Sequence, residues 1–354
     1  MVVVGADVHK STHTFVAVDE VGCKLGEKTV KATTDGHRKA IMWAREQFGV
    51  ELIWGIEDCR NMSARLERDL LGAGQKVVRV PTKLMAATRK SARARGKSDP
   101  IDALAVSRAV LREPDLPVAS HDEVSREFKL LTDRRDVLVG QRTSAINRVL
   151  WHVHDLDPEW AAALGSLTAL KHQKALMVWL AERPGVVAEI ARAEVGDIIR
   201  LTSEINTLTN RLAASIGQVA PTLLAIPGCA ELSAAKIVGE VAGIGRFTSE
   251  AAFACHTGVA PIPAWSGASA GQMRLSRAGN RQLNAAIHRI ALTQIRMTGS
   301  LGQIYFQKLI ETGKTKRAAL RCVKRRIARR VYQALRRDAH DHQNPVKPPQ
   351  SVAA

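Results

Sequence analysis

Along the first 82 residues, apolar and polar positions alternate in the short runs of β-strands, broken by two stretches of helical spacing. Val2–Gly5 is a β-branched run, Thr14–Val18 is a second, and Lys28–Val30 lies in a third. Thr34–Phe48 reads as a helix capped by Thr34 or Asp35. Leu52–Ile56 is a fourth strand, Asn61–Leu71 a helix with Asn61 as its cap, and Lys76–Val80 a fifth strand before Pro81. The predicted order is βββαβαβ, followed by a helical stretch.

Residues 122–216 carry a helical pattern with a break at Pro184-Gly185. Val187, Ala191, Ile198, Leu201, Ile205, Leu208 and Leu212 form a heptad seam, with Glu194 as its polar position. Val124, Phe128, Leu131, Leu138, Ala145 and Val149 form a similar seam, interrupted by Arg135 and Arg142. An intramolecular helical hairpin and an intermolecular coiled coil both fit. Ile226-Pro227-Gly228 then leads into a helix through Val241, like the turn of a helix-hairpin-helix whose amides hold a DNA phosphate. Ala230 stands where that motif usually has a second Gly, and a plain helix start fits too. A Gly/Ser/Ala-rich loop runs from Gly258 to Gly279, and a helix starts near Arg281. Leu320, Val323, Ile327, Val331 and Leu335 line one face of a last, strongly basic helix.

Three strands followed by alternating helix and strand is the order of an RNase H-like (RuvC-like) sheet. The expected class is therefore α/β plus α. An N-terminal domain spans 1–115, and a helical coiled-coil or dimerisation segment spans 119–216. A mainly helical C-terminal domain spans 217–338, and the Pro-containing tail, 339–354, is expected to be disordered. Glu113–Val118, with Pro114 and Pro117, is the first boundary.

Charge narrows the function. Lys and Arg total 52 against 34 acids, a net charge of +18, so the natural partner is a polyanion, nucleic acid first and an anionic membrane surface second. Aromatic residues are only 4%, which argues against base stacking as the main binding mode. Residues 83–97 hold six Lys/Arg, and 316–337 hold ten, with no acid in either stretch. No apolar run reaches the roughly 20 residues of a spanning helix, and the first ten residues lack a signal peptide's charged leader. A cytoplasmic, membrane-free protein is expected. The five Cys, at 23, 59, 229, 255 and 322, form no C-x-x-C pair and read as buried or idle thiols. The pairs His152/His154 and His340/His342 read as non-ligands.

Four acids carry the candidate chemistry. Asp7 lies just past the first strand and Glu57 just past the fourth, and those strands are neighbours in an RNase H-like sheet. Asp99 and Asp102, spaced three apart, share a helix face, with Pro100 at the first helical position and Asp99 as cap. Taken singly, each acid is more often a cap or turn residue. Clustered carboxylates repel one another unless a hard divalent cation, Mg²⁺ or Mn²⁺, is bound. Two such ions can hold the attacking and leaving oxygens of a phosphodiester.

Gly-Ala-Asp-Val-His-Lys at 5–10, Gly-Ile-Glu at 55–57 and Lys-Ser-Asp-Pro-Ile-Asp-Ala at 97–103 resemble the acid-bearing segments of the insertion-sequence 110 family of transposases. These are the DEDD recombinases related to the pilin-gene inversion enzyme. The resemblance covers nearly the whole chain and maps the four acids to Asp7, Glu57, Asp99 and Asp102. After its Glu that family usually has Ala-Thr-Gly, whereas this chain has Asp58-Cys59-Arg60, which makes Asp58 a candidate extra acid.

The C-terminal part of the resemblance is Gly258-Val259-Ala260-Pro261, Trp265-Ser266-Gly267 and Ser276-Arg277-Ala278-Gly279-Asn280. It implies that Ser266 is the nucleophile; pattern alone does not separate it from Ser269 and Ser276, and a serine in such a loop is usually a turn residue. A phosphoserine link conserves bond energy, so strands rejoin without ATP. Lys97, Gly228, Arg274, Arg277, Arg281, Lys324, Arg325 and Arg329 are the candidate nucleic-acid contacts. The resemblance further implies DNA ends and a target site as substrates, a structured guide RNA, and a homodimer that assembles into a tetramer. Two alternatives stand beside it: a metal-dependent Holliday-junction-type endonuclease, and a non-catalytic nucleic-acid-binding relative.

Overall fold

A computed structural model of the chain describes residues 1–57, 62–81, 84–85, 98–113, 116–120, 122–263, 265–267, 271, 273–275 and 279–343. Asp58, Asn61, Lys97, Ser269, Ser276 and Arg277, the basic stretch 86–97 and the tail from 344 lie outside the described residues.

The first unit follows the predicted order: β1 (Val2–Val8), β2 (Thr12–Val18), β3 (Lys24–Lys31), α1 (Thr34–Phe48), β4 (Leu52–Glu57), α2 (Ala64–Gly72), β5 (Lys76–Val80) and α3 (Asp99–Arg112). The sheet runs β3-β2-β1-β4-β5, antiparallel through the first three strands and parallel from β1 to β4 to β5. This is the RNase H-like order. One face buries Val4, Ala6, Phe15, Trp54 and Ile56 against Ala40, Ile41, Leu66 and Leu70 of α1 and α2. The opposite face carries α3, whose Ala103 packs with Val3, Val16 and Val18.

Some local expectations shift. The α1 cap is Thr33, whose hydroxyl accepts from the Gly36 amide, rather than Thr34 or Asp35. The first unit also extends past residue 115. The Arg79 amide donates to the Pro117 carbonyl (2.9 Å) and the Ala119 amide to the Val77 carbonyl (2.8 Å), so the chain returns to the β5 edge before leaving.

Two 34-residue helices dominate the middle: α4 (Glu123–Leu156) and α7 (Val186–Val219). Between them lie α5 (Pro158–Ala163) and α6 (Leu170–Ala181), and α7 begins directly after the expected break, with Gly185 (φ +100°) at its cap. The long helices pair antiparallel within the chain. Arg148 forks onto Glu194 (2.6 and 2.7 Å), while Arg211 meets Glu127 towards the other end. The arginines that interrupt the seam donate to hydroxyls across it, Arg135 to Thr209 (2.8 Å) and Arg142 to Thr202 (3.3 Å). Phe128, Leu138, Ala145, Ala191, Ile198, Leu201, Ile205 and Leu212 are buried, but Val124 is 47% exposed and lies outside the seam.

The C-terminal core gathers α8 (Pro221–Leu224), α9 (Glu231–Val241), α10 (Glu250–His256), α11 (Arg281–Arg296), α12 (Leu301–Glu311) and α13 (Lys316–Gln343). Phe128, Leu212 and Ile216 belong to that same core, so the bases of the long helices are built into it. The expected stripe of α13 packs there through Val323, Ile327, Val331 and Leu335. The helix continues past Asp338, where the tail was expected to begin. The buried Asp338 carboxylate accepts from the Thr222 (2.9 Å) and Leu223 (3.2 Å) amides and ties this turn to the start of α8. No described helix is long and apolar enough to cross a membrane.

Candidate functional site

Strand alternation puts Val3, Gly5 and Asp7 on the sheet face covered by α3. Ala6 pairs with Ile56 on the parallel β4, so Glu57 takes the position beside Asp7 on that face. Two glycines let α3 lie close. A Cβ on Gly5 would stand 2.3 Å from the Ala103 carbonyl oxygen, and one on Gly55 would stand 2.7 Å from Val110 Cγ2. The first turn of α3 therefore brings Asp99 and Asp102 to the end of β1.

There Asp7 and Asp99 converge, with Asp102 near enough for its charge to act on Asp7. His9 Nε2 lies 3.0 Å from Asp7 Oδ2 and 3.3 Å from Asp99 Oδ1. The ligand atoms of Asp7, His9 and Asp99 all lie within 4.8 Å of one another. Burial pushes the Asp7 carboxyl above the usual carboxylate range; His9 opposes this, and the charges of Asp102 and Asp99 add to it. The cap expected at Asp99 is Ser98 instead, so Asp99 becomes the first helical residue and its carboxylate turns to His9. Glu57 lines a cavity of about 250 Å³ with Glu67, Arg79, Lys129 and Gly239, between the sheet and helices α4 and α9.

The donor set fits a divalent cation. Carboxylate oxygens are the ligands Mg²⁺ and Mn²⁺ prefer, and like charges gathered at a largely buried Asp7 are what a cation relieves. Sequence reasoning missed His9, which lies one residue past the end of β1 and so outside the strand's alternation, although it belongs to the Asp-Val-His segment that carries Asp7.

The serine loop grows from a pinched neck. Gly258 has φ +67°, and a Cβ on Gly279 would stand 2.2 Å from the Gly258 nitrogen, so the two strands of the neck touch backbone to backbone. Asn280 caps α11 through the Leu283 amide and donates to the buried Glu240 (2.7 Å), which also faces Lys129. The two strands β6 (Pro261–Pro263) and β7 (Met273–Leu275) form an antiparallel ribbon. Ser266 is exposed beyond its end, next to Trp265, which is 52% exposed, and Gly267 with φ +46°.

The candidate nucleic-acid contacts divide. Arg274 and Arg281 are exposed on the ribbon and at the start of α11. Gly228 sits at φ +80° in the turn before α9, packed on Thr293. Arg325 and Arg329 both reach Glu250 (2.7 Å each), and Arg329 keeps 62% of its side chain exposed. Lys324 must be corrected: it is buried, its ammonium donates to Asn284 Oδ1 (2.7 Å), and burial lowers its pKa. It braces the neck, because Asn284 in turn donates to the Thr257 carbonyl.

The sheet order β3-β2-β1-β4-β5, with acids gathered at the end of its central strand, defines an RNase H-like α/β unit bearing a carboxylate cluster. Comparison with known proteins gives the particular kind. A transposase family model, the DEDD domain of IS110 elements, matches residues 4–158, and the model "Transposase IS116/IS110/IS902 family" matches residues 220–307. The chain is 25% identical to the insertion element IS900 42 kDa protein of Mycobacterium paratuberculosis, over 82% of this chain and 84% of that one. It is also 25% identical to the insertion element IS116 44.8 kDa protein of Streptomyces clavuligerus, over 92% of each. T. thermophilus RuvC, solved with a Holliday junction substrate, is similar at 13% identity and a TM-score of 0.27, over 33% of this chain and 99% of that one. The chain belongs to the IS110 family and is a DNA transposase.

Proposed function

We propose that this transposase cuts and exchanges DNA strands through Ser266, assisted by a divalent cation held by Asp7, Glu57, Asp99 and Asp102. The observation that carries the reading is the meeting of Asp7 and Asp99, 92 residues apart in sequence, around one His9 nitrogen. A cation bound there supplies electrostatic stabilisation to the phosphodiester. The Ser266 hydroxyl forms a new ester bond to phosphorus as one phosphorus–oxygen bond of the DNA breaks. The serine proton passes to a base and the departing DNA oxygen takes up a proton. A second strand's hydroxyl reverses the step, so no ATP is needed. Arg274 and Arg281 are exposed to neutralise the phosphate.

DNA ends and a target site are the substrates of this reading, with a structured guide RNA taken from the family resemblance. A homodimer assembling to a tetramer is part of the same proposal. Leu130, Val137 and Trp151, at steps of seven and fourteen along α4, stay exposed (57%, 53% and 74%) and would serve as a helix-to-helix interface.

The test is a denaturing gel of the full chain with Mg²⁺, element RNA and labelled element-end DNA. A protease-sensitive protein–DNA adduct is expected in wild type and absent in Ser266→Ala. Nicks without an adduct, equal in both proteins, would replace the proposal with a hydrolytic junction endonuclease.

A further inference from the structure

We infer that His9 is itself a ligand, supplying a nitrogen to the cation that Asp7 and Asp99 hold. The inference rests on the metal reading above and adds a residue to it. His9 is fixed for the task. It closes the turn between β1 and β2, where its amide donates to the Thr12 carbonyl (3.1 Å). From there the ring reaches back over the strand end, with Nε2 between a mostly buried oxygen of Asp7 and an oxygen of Asp99. The 3.0 Å contact to Asp7 is a hydrogen bond, and neighbouring ligands at about 2.1 Å from one ion leave a similar separation between them. Nearly half of the side chain is exposed, so its place is set by the two carboxylates rather than by packing.

The chemistry of this donor set differs from that of an all-carboxylate site. Mg²⁺ prefers oxygen ligands and sheds its water reluctantly, whereas imidazole suits transition metals. A nitrogen beside the carboxylates biases the site towards Mn²⁺ or Co²⁺ without excluding Mg²⁺. The neighbouring groups agree with a ligand role. Asp7, Asp99 and Asp102 supply the negative charge, and an imidazole nitrogen adds a ligand without adding a further negative charge to theirs.

The experiment is pulsed EPR of Mn²⁺ bound to the full chain, with binding titrations on wild type, His9→Ala and Asp7→Asn. The expected result is a nitrogen coupling on the wild-type ion, lost in His9→Ala. The Mn²⁺ affinity of His9→Ala should fall at least about tenfold, the scale of losing a group that holds a metal. Competition by Mg²⁺ should change much less, and Asp7→Asn should bind neither ion. Bound Mn²⁺ without nitrogen coupling in wild type, still lost in Asp7→Asn, would overturn the His9 assignment and leave the carboxylate site standing. Equal Mn²⁺ binding by wild type and Asp7→Asn, or none by wild type, would remove the site and the inference together.

Discussion

The Ser107 hydroxyl accepts the Gly5 amide proton at 2.9 Å, across 102 residues of chain. Gly5 pairs with Val16 in the β1–β2 ladder, and the same hydroxyl stands 2.8 Å from the Val16 carbonyl. A side chain of α3 is thus inserted between two strands, two residues before Asp7. It fixes the helix that carries Asp99 and Asp102 to the strand that carries Asp7. Ser107→Ala leaves a buried amide and a buried carbonyl short of a partner and should cost about 1–3 kcal/mol. Urea unfolding checks the stability. The positional role is checked by Mn²⁺ affinity in the folded variant, which should fall although Ser107 touches no ligand atom.

Asp7 pays for its place in the cluster with its own solvation. Asp7→Asn removes one charge from a crowded group and should raise the thermal midpoint in chelator by about 2–4 °C. Wild type should gain stability on adding Mg²⁺ or Mn²⁺ by mass action, and the variant should not. Scanning calorimetry with and without the ion reads both effects. A variant stabilised by the ion as strongly as wild type would place the cation elsewhere.

The fold was largely legible in the sequence because strands and helices bury faces with clear periods. β5 and α1 have the predicted limits, and the seam positions of α4 and α7 are mostly buried. What the pattern could not decide was the partner of each seam; the complementary Arg148–Glu194 and Arg211–Glu127 pairs show an intramolecular one. Motif and strand order name Asp7 and Asp99, and the fold brings those two together. His9 was missed, since a lone histidine in a turn carries no period of its own. Lys324 was misread for the opposite reason. It lies among exposed arginines, and only the packing of α13 on α11 reveals that its charge faces Asn284.

Burial, with His37 stacked at 5.1 Å, holds His13 down to about 4. Asp69 engages the far side of that stack through His37 Nδ1 (2.6 Å). The unfolded histidine takes its proton near 6.5, so the unfolded state binds more protons between the two values. Stability from His13 is therefore whole above pH 6.5 and is lost as pH falls towards 4, by about 2–4 kcal/mol. Comparing urea midpoints at pH 7.5, 5.5 and 4.5 should show this slope in wild type and a shallower one in His13→Phe.

At the neck of the serine loop, Gly279→Ala would place a carbon 2.2 Å from the Gly258 nitrogen. Backbone meets backbone there, so no side chain can move aside. The expected cost is about 1–3 kcal/mol, with loss of the Ser266 adduct at temperatures where the variant is still folded. Gly271→Ala at the far end of the same loop, with open space around its Cβ but φ +86°, separates the neck from loop strain in general. Adduct formation should survive there better than in Gly279→Ala.

Arg329 and Lys324 lie on one helix, five residues apart, yet should respond oppositely. Arg329 keeps most of its side chain in solvent while engaging Glu250, so it remains able to meet a phosphate. Arg329→Ala should weaken binding to any DNA sequence and lower the slope of log K against log salt by about 1. Lys324 is buried on Asn284, which holds the Thr257 carbonyl at the neck. Lys324→Met should leave the salt slope unchanged, because that charge faces the protein and releases no counterion on binding. Its effect should instead fall on adduct formation, through the neck it braces. Filter binding at several salt concentrations, with adduct yield measured in parallel, separates the two roles. A reduced salt slope in Lys324→Met would return that residue to the nucleic-acid surface.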